Sequence, residues 1–91
     1  MSKDIYIVRE QTFTTDSKNR TDLTSNIIVA AYTNYEAAKE RMERVADRFE
    51  KEHYMSTYER TIELPDIIIL SNERGWGAKF FVNKTLLYEG E

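Results

Sequence analysis

Cysteine is absent from this 91-residue chain, which removes a disulfide framework, a thiolate zinc site and a cysteine nucleophile. Histidine is nearly absent: His53 stands alone, with no second imidazole to share a metal and no H-x-x-x-H pair. Long apolar runs are missing too. Runs such as residues 67–70 fall far short of the ~20 residues a membrane-spanning helix needs. Residues 1–15 hold no basic region followed by an apolar stretch and a small-residue cleavage site, so no signal peptide is read and a cytoplasmic location is expected. Excess positive charge is lacking as well. With 13 basic against 16 acidic residues, the net charge is −3 and the pI about 5.2, whereas a general DNA-binding domain has a pI above ~9.

What remains is enough for a folded body. Hydrophobic residues make up 41% of the chain and aromatics 12%, so a core can form and the composition is not that of a disordered chain. At this length a single domain spanning residues 1–91 is expected.

Residues 4–13 alternate, with Ile5, Ile7, Arg9, Gln11 and Phe13 on one side and Tyr6, Val8, Glu10 and Thr12 on the other. Both sides are apolar at first and polar later, as in a strand that starts between two covered faces and emerges toward water. Residues 14–26 contain one apolar residue, Leu23, among Ser, Thr, Asn and Asp, which favour turns; a long polar loop is expected there. A second strand follows at 27–32. Thr33 and Glu36 fit a capping box, and Tyr35, Ala38, Met42, Val45, Ala46 and Phe49 recur at three- and four-residue spacing up to about Glu52. That stripe predicts an amphipathic helix lying on a sheet. Residues 53–58 are ambiguous. Residues 60–64 alternate like a strand, with an edge position or bulge expected at Pro65. Residues 67–70 predict a strand covered on both faces, 71–77 a turn, and 78–82 and 85–88 two strands joined at Asn83-Lys84. The expected fold is therefore α+β: one amphipathic helix on a largely antiparallel sheet of four to five strands, ββαββ(β). The apolar residues of 5–8 and 67–70 exceed what one helix can cover. Either a face of the sheet is free to bind, or the long loop folds back over it.

Chemistry is sparse. Nucleophilic catalysis needs a nucleophile beside a base, and His53, placed at a helix C-terminus, is explained by the helix dipole. Glu63 and Asp66 flank Pro65 as ordinary edge-strand charges. Gly75-Trp76-Gly77-Ala78-Lys79 lacks the spacing and the following helix of a phosphate loop. Arg41, Arg44 and Arg48 form a helical stripe, but Glu40, Glu43 and Asp47 lie beside it and dilute its attraction for phosphate. On a sheet, Tyr6, Phe80 and Tyr88 are the aromatics considered for base stacking. Trp76, between two glycines, either stands exposed at a hairpin tip as an interface anchor or tucks over the sheet edge. Tyr54 and Tyr58 add to a tyrosine-rich composition suited to recognition.

The stretch Ile5-Tyr6-Ile7-Val8, a polar hairpin, and then Val29 through Ala38 opening a charged helix resembles a group of short phage and mobile-element proteins. The likeness covers roughly residues 5–52. It implies a fold and a mode of action by binding a protein surface, as in inhibitors of host defence nucleases, and it carries over no functional residues. The expectation from sequence is thus a non-enzymatic protein-binding module without metal or cofactor. Partner contacts are assigned to Asp16, Lys18, Arg20 and Asp22 in the long loop and to Glu73, Arg74 and Trp76 at the second turn. The partner is another protein, basic in character if acidic groups steer it. A structural homo-oligomer joined through a spare apolar sheet face is the first alternative, a nucleic-acid binder the second, and no membrane association is expected.

Overall fold

A computed structural model describes residues 2–53 and 58–88 of the chain. Strands β1 (Ser2–Thr15) and β2 (Thr21–Tyr32) come first, then helix α1 (Tyr35–Glu52), then β3 (Glu59–Leu64), β4 (Ile67–Ser71) and β5 (Trp76–Tyr88). The strands form one five-stranded antiparallel sheet in the order β2-β1-β5-β4-β3. One helix packs on it, the α+β layout expected. Among the described residues, no helix is long and apolar enough to cross a membrane.

The helix forms where the apolar stripe predicts, and its last residue is Glu52. Its cap is displaced by one position. Asn34, not Thr33, accepts the Ala37 amide at 3.1 Å, as an N-cap side chain does for a free amide of the first turn. Ala38, Met42 and Ala46 are buried against Val8, Ile68, Leu70, Ala78 and Phe80. Small alanines on the contact stripe let the helix lie close to the strands, and Met42 and Phe80 fill the space between them. At the helix start Tyr35 meets the Tyr6 ring edge-on and donates a hydrogen bond to the Asp66 carboxylate. That bond raises the Tyr35 pKa to about 12. At the other end, Arg60 of β3 reaches three carboxylates: Asp47 (2.5 Å), Glu63 (3.0 Å) and Glu50.

Four further expectations are corrected. Residues 14–26 are not a loop: Thr14 and Thr15 finish β1, residues 21–26 belong to β2, and Asp16–Arg20 alone connect them. Threonine, a β-branched residue that suits a pleated surface, builds this hairpin. The Thr12 hydroxyl shares hydrogen bonds with Thr24 (2.7 Å) and Ser25 (2.6 Å), and Thr15 with Thr21 (3.2 Å). Asn83 and Lys84 do not turn the chain either. They pair with Ile7 and Tyr6, and β5 runs unbroken beside β1, with Lys84 3.5 Å from Asp4. The second turn is shorter than residues 71–77, since Ser71 closes β4 and Trp76 and Gly77 already pair in β5. Pro65 and Asp66 form the turn between β3 and β4; the bulge expected near Pro65 sits at Thr61.

Candidate functional site

The two segments assigned to partner contact come together. The Thr15 amide donates to the Gly75 carbonyl at 2.6 Å, which joins the β1–β2 turn to the β4–β5 turn at one end of the sheet. Gly75 has φ +83°, and a Cβ there would lie 2.2 Å from the Thr15 carbonyl oxygen, so glycine is required twice over. Each turn is held by one side chain. Asp16 accepts the amides of Lys18 and Arg20, both at 2.9 Å, and Asn72 accepts those of Arg74 (3.0 Å) and Trp76 (3.1 Å). Asp16, Lys18, Arg20, Asp22, Glu73 and Arg74 are all exposed, and Trp76 is 45% exposed as the first residue of β5. Acids and bases alternate at this end, so it presents no field of one sign.

A second surface arises from strand alternation. Residues opposite one another in a ladder share a face. The pairs Val8–Val82, Glu10–Phe80, Ile68–Phe80 and Leu70–Ala78 look toward the helix. The pairs Ile7–Asn83, Arg9–Phe81, Gln11–Lys79, Ile67–Phe81 and Leu64–Ile67 look away from it. No described residue covers that second face. The segment expected to fold back over it is part of the sheet itself. Ile67 and Ile69 are therefore only half-buried, where a strand covered on both faces was expected.

The open face is apolar, aromatic and cationic. Leu23, Ile28, Ile62 and Leu64 are 57%, 60%, 42% and 57% exposed along its two margins. Phe13, Ile7, Ile69 and Phe81 lie between them, half-buried. Phe13 rests on Gly77 so closely that a Cβ there would come within 2.3 Å of the ring; an aromatic thus shields a glycine across the ladder. Lys79 places its ammonium 4.6 Å from the Phe81 ring centre, a cation–π distance. Arg9 stands beside it and makes no ion pair among the described residues. The register puts one described carboxylate on this face, Glu59 at its far edge. A shallow depression of about 370 Å³ is lined by Ile7, Arg9, Gln11, Phe81 and Asn83, among others.

Two of the three stacking aromatics named from sequence are elsewhere. Tyr6 and Phe80 face the helix, and Phe80 is fully buried. Tyr54 lies outside the described residues; Tyr58 packs edge-on to Phe49. The Arg41, Arg44 and Arg48 stripe is broken by a 3.1 Å ion pair from Arg48 to Glu52.

His53 ends the helix. Its amide donates to the Phe49 carbonyl at 3.0 Å, its Nδ1 lies 2.9 Å from the same oxygen, and its ring stacks on Phe49 at 4.0 Å. Glu10 and Glu52 are near it. The Glu10 carboxyl is raised above its usual range by burial first and by Glu52 second, with His53 acting the other way. The two acids line a groove between β2 and α1, whose lining does not include His53. Among the described residues, no group of three or more His, Cys, Asp and Glu could hold a metal ion.

In comparisons with known proteins, no family model matches this chain, and no significant match to a curated protein or a solved structure is found.

Proposed function

We propose that this chain is a non-enzymatic protein-binding module whose recognition surface is the helix-free face of the sheet, and that its partner offers an apolar patch fringed by acidic groups. The observation that carries this reading is the composition of that face. Aliphatic and aromatic side chains surround Arg9 and Lys79, and its one described carboxylate is marginal. Clustered exposed apolar side chains mark interaction sites, and aromatic and arginine side chains are the usual anchors. The charge on the face speaks for an acidic partner, the reverse of what the chain's net charge suggests. It also speaks against a second copy docked face to face. Such a two-fold pairing sets cations against cations near its axis, with no acid there to neutralise them. Covering a host enzyme's surface in this way is how an inhibitor of phage type would act.

A second reading rests on Phe13 and Phe81 beside Arg9 and Lys79, since aromatics with cations on a sheet also bind single-stranded nucleic acid. The net charge of −3 opposes it, because phosphate binding gains most from a positive field.

Leu64→Glu and Ile28→Glu place charges at exposed margins of the face and leave the core intact. In affinity capture from cells of the source organism, read by quantitative mass spectrometry, both variants lose the protein that the parent enriches, while Trp76→Ala retains it. Retention by both face variants with loss only in Trp76→Ala overturns the reading in favour of the turn end. Nuclease-sensitive capture supports the nucleic-acid reading instead.

A further inference from the structure

The outer edge of β2 borders a groove on the helix side of the sheet, apart from the turn end and meeting the open face only at Ile28. Its floor is apolar, made by Ile27 and Val29 of β2 with Val45 and Phe49 of α1, and it encloses about 390 Å³. Ile27 is 50% exposed at its mouth. No described strand pairs with the outer side of β2, so that strand presents unpaired backbone groups next to an apolar trough. The rim is electrically polarised. Arg41, nearer the helix start, makes no ion pair among the described residues, whereas Glu10 and Glu52 stand at the opposite end, with Arg48 paired to Glu52.

We propose that this groove binds an extended peptide segment of another protein, which adds a strand to β2 and sets alternate side chains into the trough: a large aliphatic residue over the Ile27–Val45 floor and an acidic residue against Arg41. The dimensions agree. Arg41 to Glu52 covers roughly 16 Å of helix rise, the span of about five residues of extended chain. Main-chain pairing supplies affinity in such strand addition, and the pockets receiving alternate side chains supply selectivity. The bulge at Val29 limits the pairing. Between it and the irregularity near Thr24, β2 has a regular ladder only over residues 25–28, which favours a short segment over a second copy of the whole strand. An acid at Arg41 and a base at the Glu10–Glu52 end complement the rim; the reversed charges oppose it.

The probe is a capped fluorescent hexapeptide, Lys-Thr-Leu-Thr-Glu-Thr, with its reversed sequence as a second probe, since strand direction is free. Leu and Glu are two apart and so share a face; the threonines favour an extended chain and solubility. Fluorescence anisotropy with the full chain gives saturable binding of one of the two. Arg41→Glu weakens it about tenfold or more, a loss of ~1.4 kcal/mol or more, and a probe with Lys in place of Glu recovers affinity for that variant. N-methylation of alternate probe amides on the pairing edge abolishes binding, whereas Leu64→Glu, at the opposite edge, leaves it unchanged. No saturable binding of either probe overturns the proposal. So does binding indifferent to both the charge swap and N-methylation, which is adhesion to apolar surface only. Loss of binding in Leu64→Glu alone overturns it too, and moves the contact to the open face.

Discussion

Phe80 and Phe81 are neighbours in one strand and live in different surroundings. Phe80 is fully buried between α1 and the sheet, its ring 5.5 Å edge-on from Phe49; Phe81 lies half-buried on the open side with Lys79 over it. Ile68 and Ile69 repeat the contrast on β4, one 2% exposed and the other half-buried. The two sides of the sheet are nearly as apolar as each other, yet among the described residues only one has a helix. Burial of apolar surface drives folding wherever a partner element exists. The side without one retains the same chemistry, which the proposed reading assigns to a partner, and its central cations distinguish it from a simple half-core.

The sharpest test exchanges the same residue on the two sides. Phe80→Ala removes a fully packed ring and leaves a cavity, at a cost of about 3–5 kcal/mol. Phe81→Ala removes a ring that water already reaches on one side and costs about 1 kcal/mol. Urea unfolding followed by circular dichroism measures both. Equal losses would mean that the second side is covered in solution, by a second copy or by chain outside the described residues, and the recognition surface would have to be withdrawn.

The two edges of the sheet differ as much as its faces. β3 is short, with a bulge at Thr61, and carries Glu59, Arg60 and Glu63, devices that discourage further pairing. β2 is twelve residues long, with Asp22 as its one charged side chain and Leu23, Ile27 and Ile28 exposed. Arg60 secures the guarded edge by joining β3 to α1, its side chain 24% exposed among three acids. Arg60→Leu keeps the apolar stem and leaves Asp47, Glu50 and Glu63 without their shared cation. Because the three acids are largely exposed, loss of their shared cation costs about 1 kcal/mol. The midpoint in urea falls, and the deficit narrows in 1 M salt, where repulsion among exposed carboxylates is screened. A deficit independent of salt would assign Arg60 a packing role.

How much of this could be read from the chain depends on what a segment buries. The helix was legible because a one-sided apolar stripe at helical spacing suits a helix on a sheet and little else. Its cap slipped by one because Thr33 and Asn34 are both competent. The hairpin ends of β1 and β2 were opaque. They project where they bury little, so hydrophobic alternation fades, and the threonines that hold them by cross-strand hydroxyl contacts look like loop residues. Asn83 and Lys84 misled for a related reason: polar residues are tolerated on the less buried stretch of a long strand. A spare apolar face was visible as an excess of aliphatics in residues 5–8 and 67–70. Its cationic centre was not, since Arg9 and Lys79 meet only when β5 lies beside β1. Arg41 and Ile27 likewise become neighbours only after β2 is known to be the outermost strand. The juxtaposition of the Asp16 and Asn72 turns is equally tertiary.

The smallest expected effect concerns Glu10, at the acidic end of the β2 groove. Its carboxyl is held above the usual range by burial, then by Glu52, against a smaller opposite effect of His53. Arg41 and Arg48 line the same groove. A carboxyl whose pKa is raised in the native state binds its proton more tightly there than in the unfolded chain. Its contribution to stability is therefore complete below the ordinary carboxylate pKa and is lost as pH rises through the raised value. Glu10→Gln is uncharged throughout, so it melts slightly higher than the parent at pH 7, and the difference closes toward pH ~4, where the parent's carboxyl is also neutral. The gain is on the order of a degree or two in Tm, because the group is half-buried and water screens much of its charge. Parallel melting curves from pH 4 to 7 would refute it. A carboxylate that lowers stability where glutamine would raise it is the kind of residue retained for contact, and the same variant supplies a second check. It should weaken binding of the lysine-bearing probe while the melting temperature rises, a pairing of effects that a purely structural role for Glu10 does not produce.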